Sequence, residues 1–235
     1  MTDWRNRFGW ARTCVAGLLL LLATGCAYTG GGPDRPLVQK TRWFSYLNGD
    51  DIRQTCASEP FSRYRFVYNG QYRRQVRTYE VIDDGAGGAY MISRVQEVAT
   101  LSRISSADFL APWRWTTERS ELSPAMLESL ETALQQSGFF EPAPSGLLLD
   151  SRAFYWLAVG CRDRQMYFHA WTYPQTDLPT LPLQAWLLEQ DATGVAIATP
   201  FRVGPEGRLA SSRSNSVDFT LTVGDNGLRG VRTLF

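Results

Sequence analysis

The sequence has little of the residues that carry metal or nucleic-acid chemistry. It contains one histidine, His169, and one lysine, Lys40, among 235 residues. One histidine excludes a paired-histidine zinc site, and neither an HExxH nor a GxSxG motif occurs. The formal net charge of +1 is too small for the basic surface of a dedicated nucleic-acid-binding protein. We therefore expect no metal, no cofactor and no nucleic-acid partner.

An apolar run long enough for a membrane-spanning helix is also missing. The most apolar stretch, residues 14–23, has about half the length that a helix needs to cross a bilayer. Arg5, Arg7 and Arg12 precede this stretch, and small residues follow it. A basic start, a short apolar centre and small residues at the end are typical of an export signal.

The end of this segment, Ala23-Thr24-Gly25-Cys26, resembles the lipobox of bacterial lipoproteins. The resemblance implies that residues 1–25 are removed as a signal peptide and that Cys26 carries a covalent lipid. By the same resemblance, Ala27 rather than aspartate after Cys26 implies the outer membrane, with the protein facing the periplasm. An ordinary cleaved signal and an uncleaved anchor are the alternatives.

Residues 26–40 are predicted to be a flexible tether. They include three consecutive glycines and two prolines and have no apolar period, so we expect them not to pack. As a random coil they would hold the folded domain roughly 20 Å from the lipid.

Cys56 and Cys161 are the cysteines that remain after signal removal and lipidation. In an oxidising compartment such a pair usually forms a disulfide. A reactive thiol and half of a metal site are the alternatives, and both are weaker because no histidine or second cysteine lies near either residue in the sequence.

Residues 41–235 are predicted to form a single periplasmic α+β domain. We expect a mainly antiparallel sheet of about nine strands that can curl. The candidate strands lie at TRWFSY, RYRFVY, QVRTYEVI, AYMISRVQEV, RAFYWLAVGC, RQMYFHAW, VAIATPF, VDFTLTV and LRGVRTL. Asn69-Gly70 predicts a two-residue turn, which would pair Arg65 with Arg74.

One helix is well defined by its end signals. Ser123 is a candidate N-cap, Pro124 suits the first helical position, and Gly138 marks the end. NGDDIRQTC predicts a short helix capped by Asn48, and LPLQAWLLEQ fits either a short helix or a strand.

Arginines concentrate in residues 61–79, which contain no acid. Guanidinium groups bind phosphates and carboxylates, so this segment is a candidate site for an anionic ligand, a lipid head group or an acidic protein partner. The alternative is a strand face whose arginines pair with acids from elsewhere in the fold. The arginines are Arg63, Arg65, Arg73, Arg74 and Arg77.

Aromatic residues make up 13% of the chain. Trp113, Arg114 and Trp115 lie in a proline-containing loop before the helix and form a candidate aromatic binding loop. The aromatic residues on strands are better explained by core packing. His169, on one strand face with Tyr167 and Trp171, is interpreted as structural because no nucleophile motif accompanies it.

Three longer segments, YLNGDDIRQTC, RYRFVYNGQYRRQVRTYEV and GLLLDSRAFYWLAVGC, resemble a group of uncharacterised Gram-negative envelope lipoproteins. The resemblance implies a class and a location but no activity. The sequence thus favours a membrane-anchored, non-enzymatic accessory module that binds an envelope protein. A carrier or sensor of a lipid or another anionic amphiphile, and a glycan hydrolase with two carboxylates, are the alternatives.

Overall fold

The structure is a computed structural model that describes residues 28–30, 32–35, 38–72, 74–83, 85, 88–97, 115–200 and 218–234. Within these residues nine strands form two antiparallel sheets, which together with the helices confirms the predicted α+β class. The strands are β1 (Arg63–Gly70), β2 (Gln75–Asp83), β3 (Ala89–Glu97), β4 (Thr116–Leu122), β5 (Leu148–Asp150), β6 (Phe154–Arg162), β7 (Gln165–Thr172), β8 (Asp218–Gly224) and β9 (Gly227–Leu234). The larger sheet has the order β4-β3-β2-β1-β6-β7, and the smaller has the order β5-β8-β9.

Four α-helices accompany the sheets in the described residues. They are α1 (Trp43–Asn48), α2 (Asp50–Cys56), α3 (Pro124–Gln136) and α4 (Pro182–Glu189). A π-helical turn, Val38–Arg42, leads into α1, and a 3-10 turn, Leu178–Thr180, precedes α4. None of the described helices has the length and hydropathy required to span a membrane.

The six-stranded sheet carries a core on each face. On the first face, Phe66 and Trp156 are buried with side chains of α3 and α4. On the second face, Val67 and Leu157 are buried with side chains of α1, α2 and the three-stranded sheet. Because side chains alternate along a strand, the two faces of β1 carry different residues, and this alternation separates the arginines predicted as one group.

The two-residue turn at Asn69-Gly70 is wrong. The pairing of β1 with β2 continues to Asn69 opposite Val76, and Arg65 lies opposite Glu80 rather than Arg74. The chain reverses later, where Gln71 adopts a φ of 60° and its carbonyl accepts hydrogen bonds from the amides of Arg74 and Gln75. The buried Asn69 amide instead donates to the carbonyls of Ser151 and Ala153, so distant contacts outweigh the local turn preference.

Two other local predictions fail and one changes in detail. TRWFSY is helical rather than a strand, because Trp43, Tyr46 and Leu47 share the helical spacing and are buried together. The described part of VAIATPF, residues 195–200, has no regular structure. Helix α2 forms as predicted, but Gly49 occupies its N-cap position instead of Asn48.

Part of the predicted tether packs against the domain. Tyr28 and Val38 are buried in the core on the second face of the large sheet. The expectation that residues 26–40 do not pack is therefore wrong for these two positions. Apolar side chains separated by glycines and prolines still bury area when a fold supplies a surface for them.

Helix α3 begins as its sequence predicts, with the Ser123 hydroxyl accepting from the amide of Met126. We expect Ser123→Ala to lower the free energy of unfolding by about 1 kcal/mol, because one amide of the first turn loses its acceptor. Urea denaturation measures the change. Gln135→Ala, at an exposed position of the same helix, should change it by less than about 0.5 kcal/mol. Equal midpoints for Ser123→Ala and the parent protein would contradict a capping role.

Candidate functional site

The predicted arginine group does not form one surface. Arg65 and Arg77 project from opposite faces of the large sheet, and each has 0% of its surface exposed. Arg63 is half-buried beside α2, and Arg74 lies in the turn between β1 and β2. Arg73 lies outside the described residues.

Arg65 is the centre of a buried ion network on the second face. Its two terminal nitrogens donate to Asp51 of α2 at 2.8 Å and 2.7 Å, and its Nε donates to Glu80 of β2 at 2.9 Å. Arg63 also donates to Asp51, and Arg94 of β3 donates to the second oxygen of Glu80, each at 2.9 Å. This network joins α2 to three neighbouring strands.

Electrostatics in this network favour the charged forms. Burial alone would raise the pKa of the Glu80 carboxyl, but Arg65 and Arg94 outweigh burial and lower it. The Arg65 guanidinium also lies 3.9 Å from the centre of the Tyr46 ring, a cation–π contact. The Arg65 guanidinium also donates to the carbonyl of Tyr46. The hydrogen-bond donors of Arg65 are therefore already engaged by carboxylates and a carbonyl inside the protein.

Arg77 forms a second buried network on the first face. It donates to Asp191 at 2.5 Å, to Gln75 at 3.0 Å and to the carbonyl of Val195. The side-chain amide of Gln75 donates to the carbonyl of Ala196, and its oxygen accepts from the amide of Ala198. Residues 195–198 thus form backbone hydrogen bonds with the side chains of Gln75 and Arg77 on β2 rather than with the backbone of another strand.

These partners overturn the anion-site prediction for Arg65 and Arg77. A buried arginine whose nitrogens already bind carboxylates and carbonyls has no donors to offer a ligand. Arg65 and Arg77 instead fit the alternative prediction, in which the arginines pair with acids from elsewhere in the fold. For Arg63, Arg73 and Arg74 anion binding stays a prediction.

The aromatic binding loop is described only in part. Trp113 and Arg114 lie outside the described residues. Trp115 is half-buried and packs against the core on the second face of the sheet. This packing supports a structural role for Trp115. For Trp113 and Arg114, a role in binding stays a prediction.

The predicted disulfide is present and joins Cys56, the last residue of α2, to Cys161 of β6. The Cα atoms are 5.5 Å apart, within the usual range for a disulfide. A reactive thiol and a metal ligand are thus excluded for this pair. In the described part of the chain, no three histidine, cysteine or acidic side chains are placed to hold a metal ion. Cys26, the predicted lipid site, lies outside it.

A half-exposed aromatic surface occurs at β7, which is an edge strand of the large sheet as the described residues form it. Phe140, Tyr167 and His169 form this surface, which we call the β7 ridge, and the buried Trp171 supports it. The rings of Phe140 and Tyr167 meet edge to face at 4.9 Å, and those of His169 and Trp171 are 4.6 Å apart. Burial lowers the pKa of His169 and so favours the neutral imidazole, although Glu141 opposes this shift.

The β7 strand differs in charge from the other edges. It contains no acidic residue, lysine, arginine or proline, whereas β4 at the opposite edge contains Glu118, Arg119 and Glu121. The edge strands of the small sheet carry Asp150 on β5, and Arg229 and Arg232 on β9. Charges on an edge strand discourage pairing with another chain. Among the described edge strands, β7 alone lacks this protection.

The sequence showed only part of this surface. It placed Tyr167, His169 and Trp171 on one strand face, which the structure confirms, but attributed the aromatic residues to core packing. That β7 is an edge strand follows from the order of strands, which local patterns do not encode. The absence of charge from Gln165 to Thr172 was the available signal.

Comparison with known proteins found no protein-family model that matches the chain, and no significant match among curated proteins or solved structures.

Proposed function

We propose that this protein is an outer-membrane-anchored periplasmic lipoprotein that acts as a non-enzymatic accessory module of an envelope complex. Its lipid anchor is Cys26, and its partner is an envelope protein that binds at β7. The N-terminal sequence supports the anchor. The Cys56–Cys161 disulfide supports an oxidising compartment such as the periplasm.

One observation supports protein binding most directly: β7 is an uncharged edge strand beside a half-exposed aromatic ridge. An extended segment of a partner can add to such an edge through main-chain hydrogen bonds, and aromatic side chains supply selectivity. Tyr167 and His169 lie on the face of β7 where alternate side chains of the added strand would meet them. We therefore assign the β7 edge and its ridge to the partner.

The carrier and hydrolase alternatives receive less support. A carrier of anionic amphiphiles would need arginines at the mouth of an apolar cavity, but Arg65 and Arg77 bind carboxylates in the interior. A hydrolase needs a general acid with a raised pKa, whereas the buried Glu80 has a lowered pKa. No observation on the described residues favours either over the binding module.

We expect the lipoprotein, purified from its own membranes in mild detergent, to retain a stoichiometric protein partner. His169→Lys should weaken this association about tenfold, because a charge on an edge strand opposes pairing. Tyr167→Ala should weaken it as well, since it removes part of the ridge. The measurement is quantitative mass spectrometry of the bound protein, with circular dichroism to check folding.

Thr117→Lys provides the matched control, because it adds the same charge to the exposed β4 edge. We expect this variant to bind as the parent does. A photoreactive phenylalanine analogue at Tyr167 should cross-link to the partner, and one at Thr117 should not. Unchanged binding by both β7 variants, without cross-linking from position 167, would reject the β7 site.

A further inference from the structure

Tyr28, which follows the predicted lipid site Cys26 by two residues, is fixed in the folded domain. Its side chain is 2% exposed, and its amide donates to the Ser45 hydroxyl at 2.8 Å. Its ring meets the Tyr46 ring edge to face at 5.0 Å and lies 5.1 Å from the Arg65 guanidinium. Tyr28 therefore packs against the buried Arg65 network.

The chain after Tyr28 returns to the same core. Pro33 and Val38 are buried, and Arg94 lies 3.6 Å from Asp34. Val38 belongs to the same apolar cluster as Tyr28 and begins the π-helical turn before α1. The described parts of the predicted tether thus have contacts with the domain at both ends and in the middle.

This packing limits the distance between the lipid and the domain. Two residues of fully extended chain span at most about 7 Å. We infer that the domain lies directly against the bilayer, with the surface around Tyr28 facing the lipid head groups, rather than about 20 Å away on a mobile tether. The inference rests on the proposed lipidation of Cys26.

The same geometry orients the partner site. Tyr28 packs on the second face of the large sheet, whereas Tyr167 and His169 project from the first face. Strand β7 lies two positions from β1, about 10 Å across the sheet. With the Tyr28 side against the membrane, the β7 ridge faces away from the bilayer and toward the periplasm, where a protein partner can reach it.

Neutron reflectometry of the full-length lipidated protein on a phosphatidylethanolamine and phosphatidylglycerol bilayer tests the inference. We expect protein density to begin within about 10 Å of the head groups. Insertion of ten Gly/Ser residues between Ala27 and Tyr28 should open a solvent gap of roughly 15–20 Å. Tyr28→Gly should also move the domain outward, while the matched Thr29→Gly, at an exposed position, should not.

A head-group diazirine lipid in the same bilayer tests the orientation without any substitution. Mapped labels should fall in residues 28–35 and near Arg63, and not in α3 or on the β7 ridge. A gap of about 20 Å in the parent protein, or equal labelling of both faces, would overturn the inference while leaving the lipoprotein proposal intact. An unacylated N-terminal peptide, together with loss of the protein from the bilayer, would reject both.

Discussion

Arg65→Met is expected to lower the free energy of unfolding by roughly 3 kcal/mol. The substitution keeps a long apolar side chain but removes the four hydrogen bonds that the guanidinium makes to Asp51, Glu80 and the Tyr46 carbonyl. Breaking a buried pair is costly because the remaining charge stays out of water. The loss lies at the lower end of the range for such changes, since Asp51 keeps Arg63 and Glu80 keeps Arg94.

Arg119→Met is the matched control for this prediction. Arg119 pairs with Glu121 at 3.0 Å, but the two side chains are 57% and 75% exposed. Solvent screens such a pair, so its removal should cost less than about 1 kcal/mol. Urea denaturation compares the two variants. Equal destabilisation by Arg65→Met and Arg119→Met would show that burial does not decide the strength of the Arg65 network.

Acid should reduce the difference between Arg65→Met and the parent protein. The pKa of Glu80 in the folded state is lowered from its ordinary value of 4.5. A carboxyl with a lowered folded pKa contributes stability that is complete above its unfolded pKa and is lost as the pH falls through the folded pKa. We therefore expect the full difference at pH 7 and a smaller one as the pH drops below about 4. A pH-independent difference would mean that Glu80 does not contribute through its charge.

The wrong turn prediction at Asn69-Gly70 also led to a wrong prediction of the charges around Arg65. A two-residue turn at Asn69-Gly70 paired Arg65 with Arg74 and suggested unbalanced positive charge. The observed turn is longer, and it pairs Arg65 with Glu80. The Asn69 side chain, which supports this register, binds the carbonyls of Ser151 and Ala153. Both residues lie more than 80 positions away in sequence.

Elements determined by nearby residues could be predicted. Helix α3 has its cap, first-turn proline and final glycine within one segment. The candidate strands RAFYWLAVGC and RQMYFHAW form β6 and β7, which pair with each other. Strands β4 and β5 were not predicted, because β4 is largely polar and exposed and β5 has three residues. Neither shows the apolar alternation on which strand prediction depends. Their positions follow from pairing with β3 and β8.

Features of the candidate site could likewise be predicted where they depend on few residues, and not where they depend on the packing of distant elements. The partners of Cys56 and Cys161 could be predicted because two cysteines leave one pairing. Burial of Tyr28 could not, because its neighbours Ser45, Tyr46 and Arg65 meet it only after α1 and β1 have packed. Glycines and prolines beside Tyr28 predicted mobility, and the long-range contacts outweigh that local preference.

Replacement of both Cys56 and Cys161 with alanine is expected to lower the free energy of unfolding by about 4 kcal/mol. The disulfide links residues 105 positions apart, and closing a loop of this length restricts the unfolded chain strongly. It also holds the end of α2 on β6, so that Asp51 of the same helix reaches Arg65. Urea denaturation of the double variant and of the reduced parent protein should give the same loss. Ser58→Ala, an exposed change just after α2, should cost less than about 0.5 kcal/mol.

This dependence on the disulfide connects stability to the proposed location. Protein expressed without residues 1–25 in a reducing cytosol should unfold like the double alanine variant, because glutathione and thioredoxin keep the thiols reduced there. Oxidation of the purified protein should then restore the stability of the disulfide-bonded form. If reduced and oxidised protein unfold at the same urea concentration, the ion network and the two cores are sufficient to hold α2 on the sheet. The fold would then carry no requirement for an oxidising compartment, and the N-terminal sequence alone would support export.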